Sequence, residues 1–309
     1  MTALHEAIDS HHLPVVAEDE PVVEPEQHAS TPPARRKWRA FRRNRAAMVS
    51  LVFLVIMIVI VPVFAGVIAP QSPTDTDLTA KFETPSTEHW LGTDDLGRDM
   101  FSRLVYATRV SLLVSVSSVL IAVVIALPIG ALSGYATRGV DSVLMRAMDV
   151  LLSIPALMLV FAVAGVLGRS LVNTAIALSI IFAPVFVRLI RDEVRTLKRS
   201  QLVEAERSLG ASPSYIFVRH MLPKMASPMI VQITLGLATA ILAEASLSFL
   251  GLGVQPPASS WGSMLATNYT FVFATAWPVF VPGLAIVFTV LALNVLGDGI
   301  RDVVSKVRS

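Results

Sequence analysis

Long apolar runs with almost no charge alternate with short polar stretches from residue 46 to near the carboxy terminus. About 20 apolar residues in a row suffice for a helix to cross the hydrocarbon core of a bilayer. By that measure Ala46–Ala69 predicts a first transmembrane helix. Five more are predicted near Val110–Leu132, Val150–Leu167, Leu171–Val187, Met225–Leu250 and Trp277–Gly297. Their cores are almost free of charge, with Glu244 near the end of the fifth as the exception. The expected fold class is all-α: a polytopic membrane protein of about six spans.

The placement of basic residues orients these spans. Arg35, Arg36, Lys37, Arg39, Arg42, Arg43 and Arg45 stand just before the first one. Basic residues beside a span mark its cytoplasmic end, so the first helix runs outward. A signal peptide would have a shorter apolar region nearer the start. The adjoining span also makes the basic run a membrane flank rather than a nucleic-acid surface. Arg138, Arg146, the stretch from Arg188 to Lys224, and Arg301, Lys306 and Arg308 then fall inside. Of 25 basic residues, only Lys81, Arg98, Arg103, Arg109 and Arg169 fall outside. Omitting any one of the first four spans would move the richest basic loop to the wrong side. Both termini are expected in the cytoplasm, and the protein in the inner cell membrane.

Composition agrees with this layout. The chain is 54% hydrophobic and 16% charged, whereas a globular domain carries about 25% charge to face water. With no cysteine, disulfides, thiolate metal sites and thiol nucleophiles are excluded. Residues 1–34 are acidic, contain proline and have few large apolar groups, so a disordered tail is expected there. His5, His11, His12 and His28 read as solvated side chains of that tail rather than metal ligands. The organisation expected is tail 1–34, basic flank and first span 35–69, external segment 70–109, membrane core 110–304 and cytoplasmic end 305–309. A long cytoplasmic loop, 191–224, interrupts the core.

Several chemistries lack their residues. Apart from Glu244, no ionisable group lies at mid-span to relay protons or ions. There is no G-x-x-x-x-G-K-[ST] loop and no H-E-x-x-H helix. His89 and His220 fall on opposite sides of the membrane. The chain therefore reads as non-catalytic, binding no metal or cofactor, and energy for uphill transport must come from another chain.

Other features each admit two readings. Ala122, Ala126, Gly130 and Gly134 recur at helical spacing on one face of the second span. Such a stripe allows close helix approach, either within this bundle or against a partner. Outside, Asp94, Asp95 and Asp99 suit a metal or substrate amine, or simply Asx turns and a helix cap. Glu244 could face a translocation path or bond to neighbouring helix ends. Trp261, Tyr269 and Trp277 lie in or beside an uncharged outer loop, where aromatics usually anchor at the headgroups.

The loop Arg191–Lys224 is far longer than a turn. A helix is expected over roughly Asp192–Leu209, ended by Gly210 in a left-handed conformation. Ser212 is a suitable N-cap and Pro213 a suitable first residue for a second short helix, expected to stop at Pro223. The sequence Glu204-Ala205-Glu206-Arg207-Ser208-Leu209-Gly210, followed after nine residues by His220-Met221-Leu222-Pro223, resembles the EAA loop of ABC-importer permeases. It departs from that pattern at Glu206, where Ala is usual, and at His220, where Ile is usual.

Further blocks resemble the C-type permease of dipeptide, oligopeptide and nickel importers. They are Leu91–Asp99, Leu242–Gly253, Gln255-Pro256-Pro257 with Ser260-Trp261-Gly262, and the set Asn294, Gly297, Asp298, Gly299, Arg301 and Asp302. The resemblance implies the type I importer-permease fold and half of a translocation path for di- or oligopeptides. It also implies a homologous second permease, two ATP-binding subunits that use ATP and Mg, an external substrate-binding protein and surrounding lipid. In such a complex the loop would dock on an ATPase through Glu204, Ala205, Glu206, Gly210, Ala211, His220, Leu222 and Pro223. Nickel or another small solute is the alternative substrate. A self-sufficient channel or secondary carrier, an intramembrane enzyme and a membrane scaffold are the rival classes.

Overall fold

The computed structural model describes residues 41–308. The tail 1–34 and the basic residues Arg35, Arg36, Lys37 and Arg39 lie outside that range. Among the described residues the regular secondary structure is helical, apart from one isolated bridge between Thr93 and Asp99. Five helices are long and apolar enough to span a membrane: α1 (Arg45–Val63), α2 (Met100–Tyr135), α5 (Leu171–Lys198), α7 (Pro213–Phe249) and α9 (Trp277–Arg308). Between α2 and α5 come α3 (Arg138–Ser153) and α4 (Ala156–Leu167). Helix α6 (Gln201–Ser208) precedes α7, and α8 (Trp261–Tyr269) precedes α9.

The third predicted span, Val150–Leu167, is not one straight helix. It breaks between α3 and α4, whose axes differ by 90°. The cause is Pro155: the residue before a proline is driven out of the α region, and Ile154 is extended at φ −81°, ψ 124°. The α3–α4 pair thus brings the span count to six only as a bent unit. Other helices outrun their apolar runs. Helix α2 starts at Met100 because Asp99 caps it, accepting from Ser102 N at 2.7 Å. Helices α5 and α9 continue to Lys198 and Arg308.

A small-residue seam joins α2 to α5. Ala122, Ala126, Gly130 and Gly134 are all buried, in the same region as Phe186, Val187, Ile190 and Val194. A Cβ on Gly130 would lie 2.8 Å from both Ile190 Cβ and Val187 O, and one on Gly134 would lie 2.6 Å from Val194 Cγ1. Lipid provides no hydrophobic drive to push helices together, so association depends on such close van der Waals contact. A second apolar cluster unites α1, α7 and α9 through Ala47, Leu54, Ile241, Leu293 and Leu296. Here too glycine permits close approach, since a Cβ on Gly297 would sit 2.8 Å from Thr234 Oγ1. Outward, α1 shows Val49, Val52, Val59 and Val63, a face suited to hydrocarbon.

Two π turns share one cause. Ile56–Ile60 precedes Pro62 in α1, and Phe217–Met221 precedes Pro223 in α7. A proline has no N–H to donate and its ring crowds the carbonyl one turn back. Widening the preceding turn removes that conflict and lets the helix go on. The observed bonds are Val61 N to Ile56 O and Leu222 N to Phe217 O.

Gly134→Val is expected to lower the stability of the purified chain in detergent by about 1–3 kcal/mol, the usual range for overpacking. Thermal unfolding measures it, with Gly139→Val, whose added atoms meet nothing within 4 Å at Cβ, as a control that stays near the parent.

Candidate functional site

The segment after α5 differs from the expected single helix over Asp192–Leu209. Helix α5 stops at Lys198, and α6 begins at Gln201 behind Ser200. The end of α6 closes as the sequence suggests: Leu209 N donates to Ala205 O, Gly210 N to Arg207 O and Ala211 N to Glu206 O. Gly210 adopts φ +84° with open space around it. Its requirement is therefore conformational, because a Cβ is disfavoured in the left-handed region. Ser212 caps the next helix, accepting from Tyr215 N at 3.3 Å, and Pro213 takes its first turn.

Pro223 does not end that helix. The chain is helical without interruption from Pro213 to Phe249, because the π turn at Phe217–Met221 accommodates the proline. The bend at Gly210 thus leads directly into a membrane span.

The loop has a buried root and an exposed crest. Val203 and Ile216 are buried in one cluster with Val194, Met221 and Met225. Leu209 is 85% exposed, and Tyr215 and Val218 are also exposed. Glu204, Ala205 and Pro223 are exposed, whereas Glu206, Ala211, His220 and Leu222 are half-buried. Glu206 and His220, the two departures from the EAA pattern, face each other with Oε1 and Nε2 3.2 Å apart. They lie fourteen positions apart across the bend, so no helical period could have paired them. The ring of His220 also meets that of Tyr215 edge-on at 5.7 Å.

Near the far end of α7 from Gly210, Glu244 has no exposed surface. Its Oε1 accepts from Ser248 Oγ at 2.6 Å, and the hydroxyls of Ser111 and Ser260 border the same carboxylate. Trp261 N donates to Ser111 Oγ at 3.0 Å, and Trp261 Nε1 donates to Thr108 Oγ1 at 3.2 Å. These bonds pin α2, α7 and α8 together. Trp261 is fully buried, so it is not a headgroup anchor as its outer-loop position suggested. Capping drew it inward: Ser260 accepts from Ser263 N and opens α8 with the indole turned to the core. Tyr269 and Trp277 are exposed, and Trp277 Nε1 donates to Leu91 O at 2.9 Å. Thr108 and Ser111 carried no motif that sequence alone could have singled out, whereas Ser260 stands in the Ser260-Trp261-Gly262 block.

Asp94 and Asp99 serve as turn and cap groups. Asp94 Oδ1 accepts from Leu96 N and Arg98 N, while its Oδ2 lies 2.7 Å from Arg98 Nε and 3.3 Å from Arg103 Nε. Asp99 caps α2 and its Oδ1 lies 3.2 Å from His89 Nδ1. Among the described residues no three His, Asp or Glu side chains converge as a metal site.

Comparison with known proteins places this architecture. Residues 126–308 match the family model described as binding-protein-dependent transport system inner membrane component. Residues 33–85 match the N-terminal TM domain of oligopeptide transport permease C. The dipeptide transport system permease protein of Alkalihalophilus pseudofirmus is 37% identical, over 90% of this chain and 91% of its own. The di/tripeptide transport system permease protein of Pseudomonas aeruginosa is 40% identical, over 87% and 91%. The glutathione transport system permease protein of Escherichia coli is 42% identical, over 91% and 92%. Among solved structures, the inward-facing MetNI methionine ABC transporter superposes with a TM-score of 0.54 at 22% identity, covering 66% of this chain and 97% of that one. That likeness concerns the fold alone. With the first model matching more than half of the chain and the relatives aligned along most of it, the chain belongs to the binding-protein-dependent transport system inner membrane components, the permease subunits of ABC importers.

Proposed function

We propose that this permease forms half of a translocation path for short peptides and receives its driving force at the Gly210 bend. The observation that carries the coupling reading is the loop itself. Its apolar root, Val203 and Ile216, is buried, while Leu209, Tyr215 and Val218 stand exposed around a glycine-dependent turn. Exposed large apolar groups grouped with charge suit a protein partner, and a turn that leads straight into α7 suits transmission of movement. Glu204 and Ala205 would face the ATPase, with Glu204 free to pair with a basic group there. Leu222 and Pro223 would lie at the start of the span that moves.

The remaining components follow from the same reading. A homologous second permease completes the path. Two ATPase subunits use ATP and Mg on the cytoplasmic side, an external binding protein delivers the solute, and both termini of this chain stay inside. This chain supplies no catalytic group. Peptides are the proposed substrate class because the relatives are named for dipeptides, di/tripeptides and glutathione, itself a tripeptide.

Purification of the carboxy-terminally tagged chain from native membranes in mild detergent should recover a second permease and one or two ATPases, with vanadate-sensitive ATP hydrolysis. Recovery of the chain alone, stable and monodisperse, would overturn the subunit assignment in favour of a channel or carrier.

Gly210→Val should insert and assemble normally but hydrolyse ATP without uptake, because a β-branched residue resists φ +84°. Uptake of labelled peptide into cells or liposomes, compared with ATP consumed, measures this. Normal uptake would sink the coupling role of the bend.

A further inference from the structure

On the cytoplasmic side three helices converge on a single carboxylate that the EAA pattern does not include. Asp141, in the first turn of α3, is 7% exposed. Its Oδ1 accepts from Ser133 Oγ and from Arg191 Nε, each at 2.6 Å. Its Oδ2 accepts from Arg191 Nη2 at 2.9 Å and lies 2.6 Å from Arg195 Nη2. Ser133 belongs to the end of α2, and both arginines to the cytoplasmic end of α5. Farther along α3, Asp149 pairs with Arg188, a second tie to α5. Lys198 Nζ donates to Tyr135 O at 3.1 Å, and the Tyr135 hydroxyl donates to Met221 Sδ at 3.0 Å in the π turn of α7.

These ties complement the glycine seam. Gly130 and Gly134 let α2 and α5 touch, but apolar contact between small residues has little direction and resists sliding weakly. A two-pronged guanidinium–carboxylate pair fixes both distance and orientation. Helix α6 follows α5 after a break at Arg199–Ser200, and its buried Val203 shares a cluster with Ile190 and Val194 of α5. A push on α6 therefore arrives first at the end of α5, where Arg191 and Arg195 grip Asp141.

We propose that Asp141 is a positioning residue for energy coupling: by gathering Ser133, Arg191 and Arg195 it makes the cytoplasmic ends of α2, α3 and α5 one body, so that displacement of α6 is delivered to α2. This rests on the coupling reading of the Gly210 loop.

The chain has no cysteine, so cysteines placed at the exposed positions Arg138 and Gln201 can carry the spin labels in an importer whose other subunits are also cysteine-free. The assembled importer in liposomes is measured by pulsed electron paramagnetic resonance, without nucleotide and after trapping with ATP and vanadate. With Asp141 intact the label separation should stay constant on trapping. In Asp141→Asn it should shift or broaden, and stimulation of ATP hydrolysis by the loaded binding protein should fall several-fold while unstimulated hydrolysis persists. An Asp141→Asn importer with constant separation and full stimulation overturns the proposal. If that variant does not assemble, Arg195→Gln, which leaves the Arg191 pair in place, is measured for the same changes in smaller degree, and parental behaviour there overturns the proposal equally. Gly210→Val in the same assay separates the two ideas. Full stimulation in Gly210→Val removes the loop reading, and the clamp's role with it. Loss there with parental behaviour in Asp141→Asn removes only the clamp.

Discussion

Between α2 and α5 there is no room for a side chain at positions 130 and 134. A single added carbon would lie within 2.8 Å of Ile190 or Val194, and much of the remaining architecture depends on that closeness. It brings the Tyr135 carbonyl, which accepts from Lys198 Nζ, and Ser133, which donates to Asp141, to the charged end of α5, where Arg191 and Arg195 pair with the same Asp141. It also places the root of the Gly210 loop on a floor shared by both helices. In lipid, where oily surface gains little by meeting oily surface, contact distance decides whether helices associate.

The second recurring constraint is that a backbone inside a membrane must satisfy its own polar groups. Proline challenges that rule in α1, α2, α5, α7 and α9. Two solutions are visible. Pro62 and Pro223 are preceded by wide turns that carry the helix through, whereas Pro155 breaks it and turns the chain by 90°. The residues before the prolines differ in what holds them. Leu222 bonds to Phe217 O in a continuous helix, but Ile154 leaves the helix altogether.

Apolar length was enough to place five of the spans in sequence, because charge is costly in hydrocarbon, while the stretch Val150–Leu167 is bent rather than straight. The bend at Gly210 was equally legible, because only one residue type tolerates its backbone conformation cheaply. Proline was harder to read: Pro155, inside a predicted span, breaks it, whereas Pro223, read as a helix stop, lies within an unbroken helix. The difference lies in neighbouring turns rather than in the proline. Burial of Trp261 was hidden because its partners, Thr108 and Ser111, stand 150 or more positions away. Asp141 was hidden for the same reason, its arginines lying on a helix that only the fold brings near. The pairing of Glu206 with His220 turns two separate departures from a family pattern into one contact.

Helix α7 runs 37 residues without interruption, from the residue after Ser212 to Phe249. At 1.5 Å per residue that is about 55 Å, well beyond the roughly 30 Å of the hydrocarbon core. Its lower end starts at the Gly210 bend, and its upper end holds Glu244 and Ser248 against α8. A rod of that length magnifies angle into distance. Tilting it by about 10° at the Gly210 end sweeps the Phe249 end through roughly 10 Å by the same rise per residue, a shift as wide as a helix.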